Sequence, residues 1–324
     1  MAAHQPVLLT ETIELLGLRR GDVVIDATCG AGGHTERLAE EVGAAGRVIA
    51  IDRDEAALSI AQERLRQFKQ VSFSHRDFRD LAQVLRGFGI EGAHGILADL
   101  GLSSMQLDDR ARGFSFFSEG ELDMRMDRRV GETAADLLRS LSEAKLGHIF
   151  REYGEERRWR SVARAVVAHR ERGGRFSGPE LQRLAHRAIG AARSGRVDSA
   201  TRVFHALRIA VNDELGALEE FLDSAVSSLL PRGRLAVISF HSLEDRIVKN
   251  RFRREASGCL CPPELPRCVC GHQPSLRVLT RKPVRSGEDE VRGNSRARSA
   301  RATRLSGSPT RTPIMRLSRR CSWR

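Results

Sequence analysis

The sequence lacks long hydrophobic runs. Nowhere in its 324 residues do about 18 consecutive apolar residues occur, the length that a membrane-spanning helix needs. The first residues, MAAHQPVLLTETIELL, also lack the basic segment and the cleavable apolar segment of a signal peptide. We therefore expect a cytoplasmic protein with no membrane partner.

Cysteine is scarce as well, since six residues are too few for a secreted disulfide scaffold. Four of the six lie close together, as two Cys-x-Cys pairs on either side of a proline-rich turn: Cys259, Cys261, Cys268 and Cys270. Four thiolates on a short hairpin can hold a tetrahedral zinc ion, although structural zinc sites more often use Cys-x-x-Cys. The pattern predicts either a structural zinc site or thiols without metal.

Acidic residues are missing from the C-terminal end. Residues 291–324 contain ten arginines and no acidic residue, so this tail accounts for +10 of the formal net charge of +12. A basic segment with few apolar residues buries too little surface to fold alone, and we predict that the tail is disordered. It serves either solubility or nonspecific binding to phosphate groups.

The sequence does contain an alternation of strand-like and helical segments. Five short apolar runs rich in β-branched residues occur at 22–30, 46–54, 70–78, 93–104 and 233–242. Amphipathic helical segments separate them, a pattern typical of a doubly wound parallel sheet. We therefore predict an α/β fold whose sheet domain is formed by residues 1–108 and 213–290. Residues 109–212 contain mostly helical segments and no convincing strand, which indicates an inserted helical domain.

A glycine-rich segment, DATCGAGGH (26–34), follows the first apolar run and lets a ligand approach the backbone closely. It matches neither the dinucleotide fingerprint nor the phosphate-binding P-loop. Asp52 ends the second run about 20 residues later, where an acidic residue can accept hydrogen bonds from ribose hydroxyls. Asp77 and Phe78 end the third run, at a point suited to adenine. Asp99 ends the fourth run, and a carboxylate there favours a sulfonium cofactor, S-adenosylmethionine, over a nicotinamide.

Eight motifs occur in order along the chain: HQPVLLTE (4–11), DATCGAGGH (26–34), AIDRD (50–54), DLGLSSMQLDDRARGFSF (99–116), LDMRMD (122–127), YGEER (153–157), TRVFHALRIAVNDEL (201–215) and ISFHSLEDRIVK (238–249). Together they resemble the RsmH (MraW) family, the bacterial 16S ribosomal RNA cytidine N4-methyltransferases. The resemblance extends over residues 3–298, which is nearly the whole body of the chain.

This resemblance implies a Rossmann-like, S-adenosylmethionine-dependent methyltransferase sheet with an inserted all-helical domain that recognises the substrate. The implied reaction transfers a methyl group from S-adenosyl-L-methionine to the N4 amine of one cytidine in the decoding centre of 16S rRNA. The implied partner is this RNA within the small ribosomal subunit or its precursor, and no DNA. The family's cofactor-binding positions correspond to Gly32, Gly33, His34, Asp52, Phe78, Asp99 and Gln106.

Asp99 is also the candidate catalytic residue. The lone pair on N4 of cytosine is delocalised into the ring, so methylation requires that one N4 proton be accepted. We expect Asp99 to accept this N4–H hydrogen bond and to stabilise the developing positive charge. The alternative is that Asp99 only binds the methionine amino group. We expect His34, at the start of a helix, to cap or pack rather than to act as a base.

Aromatic residues near arginines are the candidates for contact with the RNA substrate. Phe114 lies in the segment RARGFSFF, whose rings and guanidinium groups suit base stacking and phosphate contact, with core burial as the alternative. Phe240, His241 and Ser242 follow the fifth run, where we expect them to border the cytidine pocket. Ser242 or Asp245 is expected to cap the helix that begins there.

Four arginines cluster in the helical insert: Arg157, Arg158, Arg160 and Arg164. This cluster predicts a surface that faces RNA. The alternative is a charged helix face that contacts only solvent, which gives the same sequence pattern.

Two other functions fit parts of the sequence, a noncatalytic RNA-binding or assembly factor and a nicotinamide-dependent oxidoreductase. The intact glycine segment and the strand-end carboxylates argue against the first of these.

Overall fold

The structure is a computed structural model. It describes residues 6–191, 198–262, 264–265, 267–280, 284 and 302–307, with backbone only at Ser104 and at 302–307. The chain forms two compact units: the sheet unit contains Met1–Gly101 and Ala217–Arg324, and the helical unit contains Leu102–Gly216. The boundaries predicted for the insert, 109 and 212, both lie within the helical unit.

The sheet unit is organised by a sheet that has seven strands among the described residues. They are β1 Val23–Asp26, β2 Arg47–Asp52, β3 Val71–His75, β4 Ala93–Asp99, β5 Leu229–Ser239, β6 Arg277–Val278 and β7 Ala302–Gly307. Their spatial order is β3-β2-β1-β4-β5-β7-β6. The pairs formed by β1 to β5 are all parallel, which confirms the predicted doubly wound sheet.

Twelve α-helices occur in the described part of the chain: α1 Leu9–Leu16, α2 Gly33–Val42, α3 Glu55–Arg64, α4 Leu81–Gly87, α5 Ser104–Asp108, α6 Ala134–Ser140, α7 Glu143–Glu152, α8 Trp159–Glu171, α9 Gly178–Ile189, α10 Thr201–Asn212, α11 Glu214–Ser227 and α12 Ser242–Ala256. In the sheet unit, α1 to α3 cover one face of the sheet, and α4, α12 and most of α11 cover the other.

Side chains alternate between these two apolar layers because successive residues of a strand point to opposite faces. On β5, Leu235 and Val237 pack with α4, α11 and α12, whereas Ala236 and Ile238 pack with α1 and α2. The central strands β1, β2, β4 and the second half of β5 are therefore mostly buried on both faces, which explains why their sequences read as continuous apolar runs.

The last strand of the sheet corrects one prediction. Residues 302–307 lie in the predicted disordered tail, yet they form β7, which pairs antiparallel with β5 from Ala302↔Ser239 to Gly307↔Arg234. β6 pairs antiparallel with the other edge of β7. Backbone hydrogen bonds to an open sheet edge order a strand of any side-chain composition, so composition alone missed it. The rest of the tail lies outside the described residues.

The helical unit contains α5 to α10 and the first residues of α11, as the predicted all-helical insert requires. Its core comes from apolar residues spaced three and four apart on α6 to α10, such as Leu146, Ile149 and Phe150 on α7. Where the chain is described, no helix combines the length and the apolar composition needed to cross a membrane.

One buried amide ties α10 to the loop before α6. The side-chain oxygen of Asn212 accepts the backbone N–H of Met126 at 2.8 Å, and its NH₂ group donates to the carbonyl oxygens of Met124 at 2.7 Å and Arg208 at 2.9 Å. Met124 has a positive φ of 60°, a conformation that needs such support in a residue other than glycine. Asn212 therefore holds a strained loop in place.

Candidate functional site

The candidate site of the sheet unit lies where its parallel strands end. The strand order reverses around β1, because the chain moves outward to β2 and β3 and then returns to β4 on the other side of β1. Such a switch point opens a crevice beyond the carboxyl ends of the strands, where ligands of doubly wound sheets bind. Asp26, Asp52 and Asp99 are the last residues of β1, β2 and β4.

The glycine loop, residues 27–33, is held by both neighbouring strands. Ala27 N–H donates to the carbonyl of Leu97 on β4, and Cys29 N–H donates to the carbonyl of Ile51 on β2, both at 2.8 Å. Gly30 and Gly32 have φ values of 53° and 84° in the left-handed region. The loop is thus anchored at its start and turns sharply at its glycines.

Gly32 and Gly33 also leave no room for a side chain. A Cβ on Gly32 would lie 3.0 Å from a methyl carbon of Leu65, and a Cβ on Gly33 would collide with Pro6. Glycine at both positions therefore permits the tight turn into α2, whereas a Cβ on Gly30 would meet no protein atom within 4 Å.

Asp52 faces the glycine loop. One carboxylate oxygen accepts the N–H of Gly30 at 2.7 Å and the other accepts the N–H of Asp54 at 2.8 Å. Burial raises the pKa of Asp52 to about 6, and the two N–H donors, together with the nearby Arg53 guanidinium, limit this rise. Each oxygen retains a lone pair, so the carboxylate can accept two more hydrogen bonds.

A hydrogen-bond chain of polar side chains connects β1 to Asp99. The fully buried Asp26 accepts the hydroxyl proton of Thr35 at 2.7 Å and the N–H of Thr28 at 3.2 Å. The hydroxyl oxygen of Thr28 accepts the backbone N–H of Asp99 at 2.6 Å. Burial also raises the pKa of Asp26, which the charge of His34 partly offsets.

Neither Thr28 nor Thr35 was predicted from the sequence to take part in these hydrogen bonds. The signal for Thr28 was its place two residues after a buried strand-end aspartate, where a short hydroxyl side chain can reach the neighbouring strand.

His34 is buried in the first turn of α2, with 5% of its surface exposed. Its Nε2 lies 3.1 Å from the carbonyl oxygen of Val7, and because a carbonyl only accepts, Nε2 carries the proton. Its Nδ1 lies 3.8 Å from an oxygen of Asp99. His34 is therefore oriented by the N-terminal segment and faces Asp99 with its other nitrogen.

Phe78 and Asp77 follow β3. Asp77 accepts hydrogen bonds from the Arg53 guanidinium at 3.1 Å and from the backbone N–H of Arg79 at 3.0 Å, so it fixes the turn after the strand. Phe78 is 8% exposed and packs edge-on against Phe221, with ring centroids 5.1 Å apart. One side of the Phe78 ring thus belongs to the core under α11.

The end of β5 corrects the predicted helix cap. The N-cap residue of α12 is His241, and the Glu244 carboxylate accepts the N–H groups of Phe240 at 2.9 Å and of His241 at 3.3 Å. His241 and Glu244 therefore form the capping box of the helix, and neither Ser242 nor Asp245 is its N-cap. A carboxylate at the third helical position can reach back to the cap, and the residues S-L-E contained this signal.

In the helical unit, Gln106 and Phe114 serve structural roles. The Gln106 side-chain oxygen accepts the N–H of Ser103 at 3.0 Å in the capping box of α5. Phe114 is 8% exposed within the core of the unit, which does not support the prediction that it stacks on substrate. The ring exposed in this segment is Phe117, at 68%.

The four clustered arginines are all exposed: Arg157, Arg158, Arg160 and Arg164. Arg160 and Arg164 lie one turn apart on α8, and Arg160 also stacks over the Trp159 ring at 4.2 Å. Arg158 donates to the carbonyl of Ile189 at 3.0 Å. The helical unit thus presents a positively charged surface.

The four cysteines of the predicted metal site also come together, within the sheet unit.

The sequence matches the MraW methylase family over residues 1–305. It is 50% identical over 303 residues to the ribosomal RNA small subunit methyltransferase H of Anaeromyxobacter sp., covering 92% of this chain and 96% of that protein. Proteins of the same name from Geobacter sulfurreducens and Carboxydothermus hydrogenoformans are 49% and 47% identical, over 92% of this chain and 97% and 96% of their own lengths. The match to the family model includes the glycine loop, the helical unit and the first residues of β7, and the chain belongs to the MraW methylase family.

Proposed function

We propose that this protein transfers a methyl group from S-adenosylmethionine to the N4 amine of a cytidine in the decoding centre of 16S rRNA. The relatives named above are small-subunit rRNA methyltransferases, which supports the class of reaction and of substrate. The observation that carries the proposal is the glycine loop flanked by two strand-end carboxylates, Asp52 and Asp99, at the switch point of the sheet.

The residues of the sheet unit fit this cofactor. The two oxygens of Asp52 each have a lone pair for a ribose hydroxyl, and the open space beside Gly30 lets a cofactor approach the backbone. Residues 26–34 match neither the G-x-G-x-x-G dinucleotide fingerprint nor the P-loop, the two glycine-rich motifs that bind phosphate groups. A cofactor with a sugar and a cationic centre suits this edge better than a dinucleotide.

The cofactor supplies a methyl group on a positively charged sulfur. Transfer would form a bond from N4 to the methyl carbon and break the bond from that carbon to sulfur, whose electron pair would remain on a neutral thioether, and the proton that N4 loses would pass to solvent. Asp99 accepts the N4–H hydrogen bond and stabilises the developing charge on the amine. Thr28 fixes the backbone of Asp99, and His34 packs beside its carboxylate, so both residues position it.

The helical unit contacts the RNA. Its exposed arginines bind phosphate groups, and the exposed ring of Phe117 is available to stack on an unpaired base. Stacking combined with cationic side chains is the usual way to bind single-stranded RNA, and a target base must leave its stack to reach a methyl donor.

Two measurements test the proposal. Calorimetry of the full chain should detect binding of S-adenosylmethionine and not of NAD. Small subunits from a strain that lacks the modification should gain N4-methylcytidine on incubation with protein and cofactor, as shown by mass spectrometry of digested RNA. Binding of NAD alone, or methylation of another nucleoside, would refute the proposed cofactor or the proposed target.

A further inference from the structure

The segment after α12 has little hydrophobic packing of its own. Its large apolar side chains Leu260, Leu265 and Val269 are 40%, 40% and 76% exposed. The segment returns to the end of α12, where Ser275 N–H donates to the carbonyl of Glu255 at 2.9 Å. A closed loop without a core needs another source of order, such as a cross-link or a metal ion.

Four cysteine sulfurs converge inside this loop. The Sγ atom of Cys268 lies 3.4 Å from that of Cys259, 3.9 Å from that of Cys261 and 3.5 Å from that of Cys270. The Sγ atoms of Cys259 and Cys270 are 3.9 Å apart, and all four lie within 4.8 Å of one another. All four thiols are free of disulfide bonds.

These separations match those of a tetrahedral metal site. Four sulfurs bound to zinc at about 2.3 Å lie about 3.8 Å from one another. On an exposed loop, thiol side chains that bind no common ligand are free to rotate toward solvent, and nothing would hold four of them at this spacing. The spacing therefore indicates a ligand at the centre of the four.

Backbone N–H groups are directed at the same sulfurs. Leu260 N–H donates to Cys270 Sγ and Val269 N–H donates to Cys261 Sγ, both at 3.3 Å, and Cys261 N–H donates to Cys259 Sγ at 3.4 Å. Such donors stabilise the negative charge of thiolates, the form in which cysteine binds metals. The first two of these hydrogen bonds join one Cys-x-Cys pair to the other, so both halves of the hairpin take part.

We propose that Cys259, Cys261, Cys268 and Cys270 bind one structural zinc ion. Each sulfur forms one bond to the metal, and protonated thiols release their protons to solvent on binding. Four protein sulfurs fill all four positions, which leaves none for a substrate. The metal then orders the loop that connects α12 to β6.

The site is remote from the proposed methyl-transfer chemistry. A helix that follows a parallel strand runs back toward the opposite edge of the sheet, and the 15 residues of α12 span about 22 Å. The loop begins at the far end of this helix, away from Asp52 and Asp99. The proposal therefore stands independently of the proposed function, and cofactor binding should survive loss of the metal.

Elemental analysis of the purified full chain tests the proposal, with no metal added. We expect about one zinc ion per chain. An organomercurial that reacts with the four clustered thiols should release this zinc into solution. Cobalt exchanged into the site should give the absorption of a tetrahedral thiolate complex. The double variant Cys268→Ser/Cys270→Ser should lose the zinc, whereas Cys321→Ser, which removes a thiol from outside the cluster, should retain it.

Three results would overturn the assignment. The four clustered thiols could react without releasing any metal, or elemental analysis could find iron in place of zinc. The intact protein could also be lighter by two hydrogens for each pair of these cysteines, which would show that they form disulfide bonds. Because the first two measurements use the unmodified chain, a variant that fails to fold does not affect the conclusion. Stripping the zinc with a chelator should open the loop to protease cleavage between Ser257 and Pro274 and leave S-adenosylmethionine affinity unchanged.

Discussion

The sheet unit and the helical unit use polar residues in opposite ways. At the strand ends of the sheet unit, Asp26, Asp52 and Asp99 are buried or half-buried. The carboxylates of Asp26 and Asp52 accept hydrogen bonds from Thr35 and Gly30, and the backbone N–H of Asp99 donates to the Thr28 hydroxyl. In the helical unit, arginines such as Arg160 and Arg164 lie on an exposed face, and the buried Asn212 bonds to backbone groups of a loop. The first arrangement suits a small ligand in fixed geometry, and the second suits a large polyanion.

The largest expected effect comes from Asp99→Asn in the sheet unit. Loss of the carboxylate removes the acceptor for N4–H and the stabilising charge, so turnover should fall by about 10²–10³-fold. Cofactor affinity should change less, because Asp52 and the glycine loop remain. Single-turnover methylation and calorimetry measure the two quantities separately.

Asp22→Asn is the matched control for this variant, since Asp22 precedes β1 at the other edge of the sheet. Its turnover should equal that of the unmodified protein. Full turnover of Asp99→Asn would show that Asp99 is not catalytic, and an equal loss of affinity and turnover would assign it to binding of the methionine amino group.

Asn212→Ala should produce the next largest effect. It leaves the N–H of Met126 and the carbonyl of Met124 without their buried partner, which costs roughly 2–3 kcal/mol of the free energy of unfolding. Denaturant unfolding followed by circular dichroism measures this loss. The exposed Asn250→Ala on α12 should change stability by less than about 0.5 kcal/mol. Equal effects of the two variants would contradict the role given to Asn212.

Cofactor affinity should fall in acid because of Asp52. Its pKa of about 6 lies above the ordinary value, so the carboxylate gains a proton as the pH falls below 6 and loses capacity to accept ribose hydroxyls. Affinity should therefore be about tenfold weaker at pH 5 than at pH 8. Calorimetry at several pH values tests this dependence.

The same raised pKa has the opposite effect on stability. The contribution of Asp52 to stability is fully present below its ordinary pKa of 3.8 and is lost as the pH rises through about 6, so Asp52 itself does not unfold the protein at pH 5. Asp52→Asn should bind weakly at every pH and show a flat profile. A sloping profile in this variant would assign the titration to another group, such as Asp26.

The smallest expected effect concerns the exposed arginines. Replacing Arg157, Arg160 and Arg164 by glutamine should weaken RNA binding about tenfold and reduce the slope of log affinity against log salt by up to about 2. S-adenosylmethionine affinity should stay the same. The control changes three exposed arginines of the sheet unit: Arg66, Arg86 and Arg253. If both triple variants bind RNA equally weakly, the helical unit is not the RNA-binding surface.

Local patterns predicted much of the sheet unit. The five parallel strands follow from apolar runs rich in β-branched residues, and Asp52 and Asp99 are the acidic residues that end two of these runs. The glycine loop follows from residues that tolerate positive φ. Thr28, Glu244 and β7 were missed because their partners are distant in sequence or are backbone groups. Phe114 was assigned to the substrate because an aromatic residue beside arginines has the same sequence pattern whether it is exposed or buried.

The sequence by itself determined the alternation of strands and helices, the helical insert and the family, because periodicity and short motifs are properties of neighbouring residues. Only the tertiary structure decided that Thr28 holds the backbone of Asp99, and that His34 places one ring nitrogen on the Val7 carbonyl and the other beside Asp99. It also decided that four cysteine sulfurs lie at metal-binding distances. These features depend on how the chain folds back on itself, since hydrogen bonds and coordination require atoms within a few ångströms that strand register and loop closure bring together.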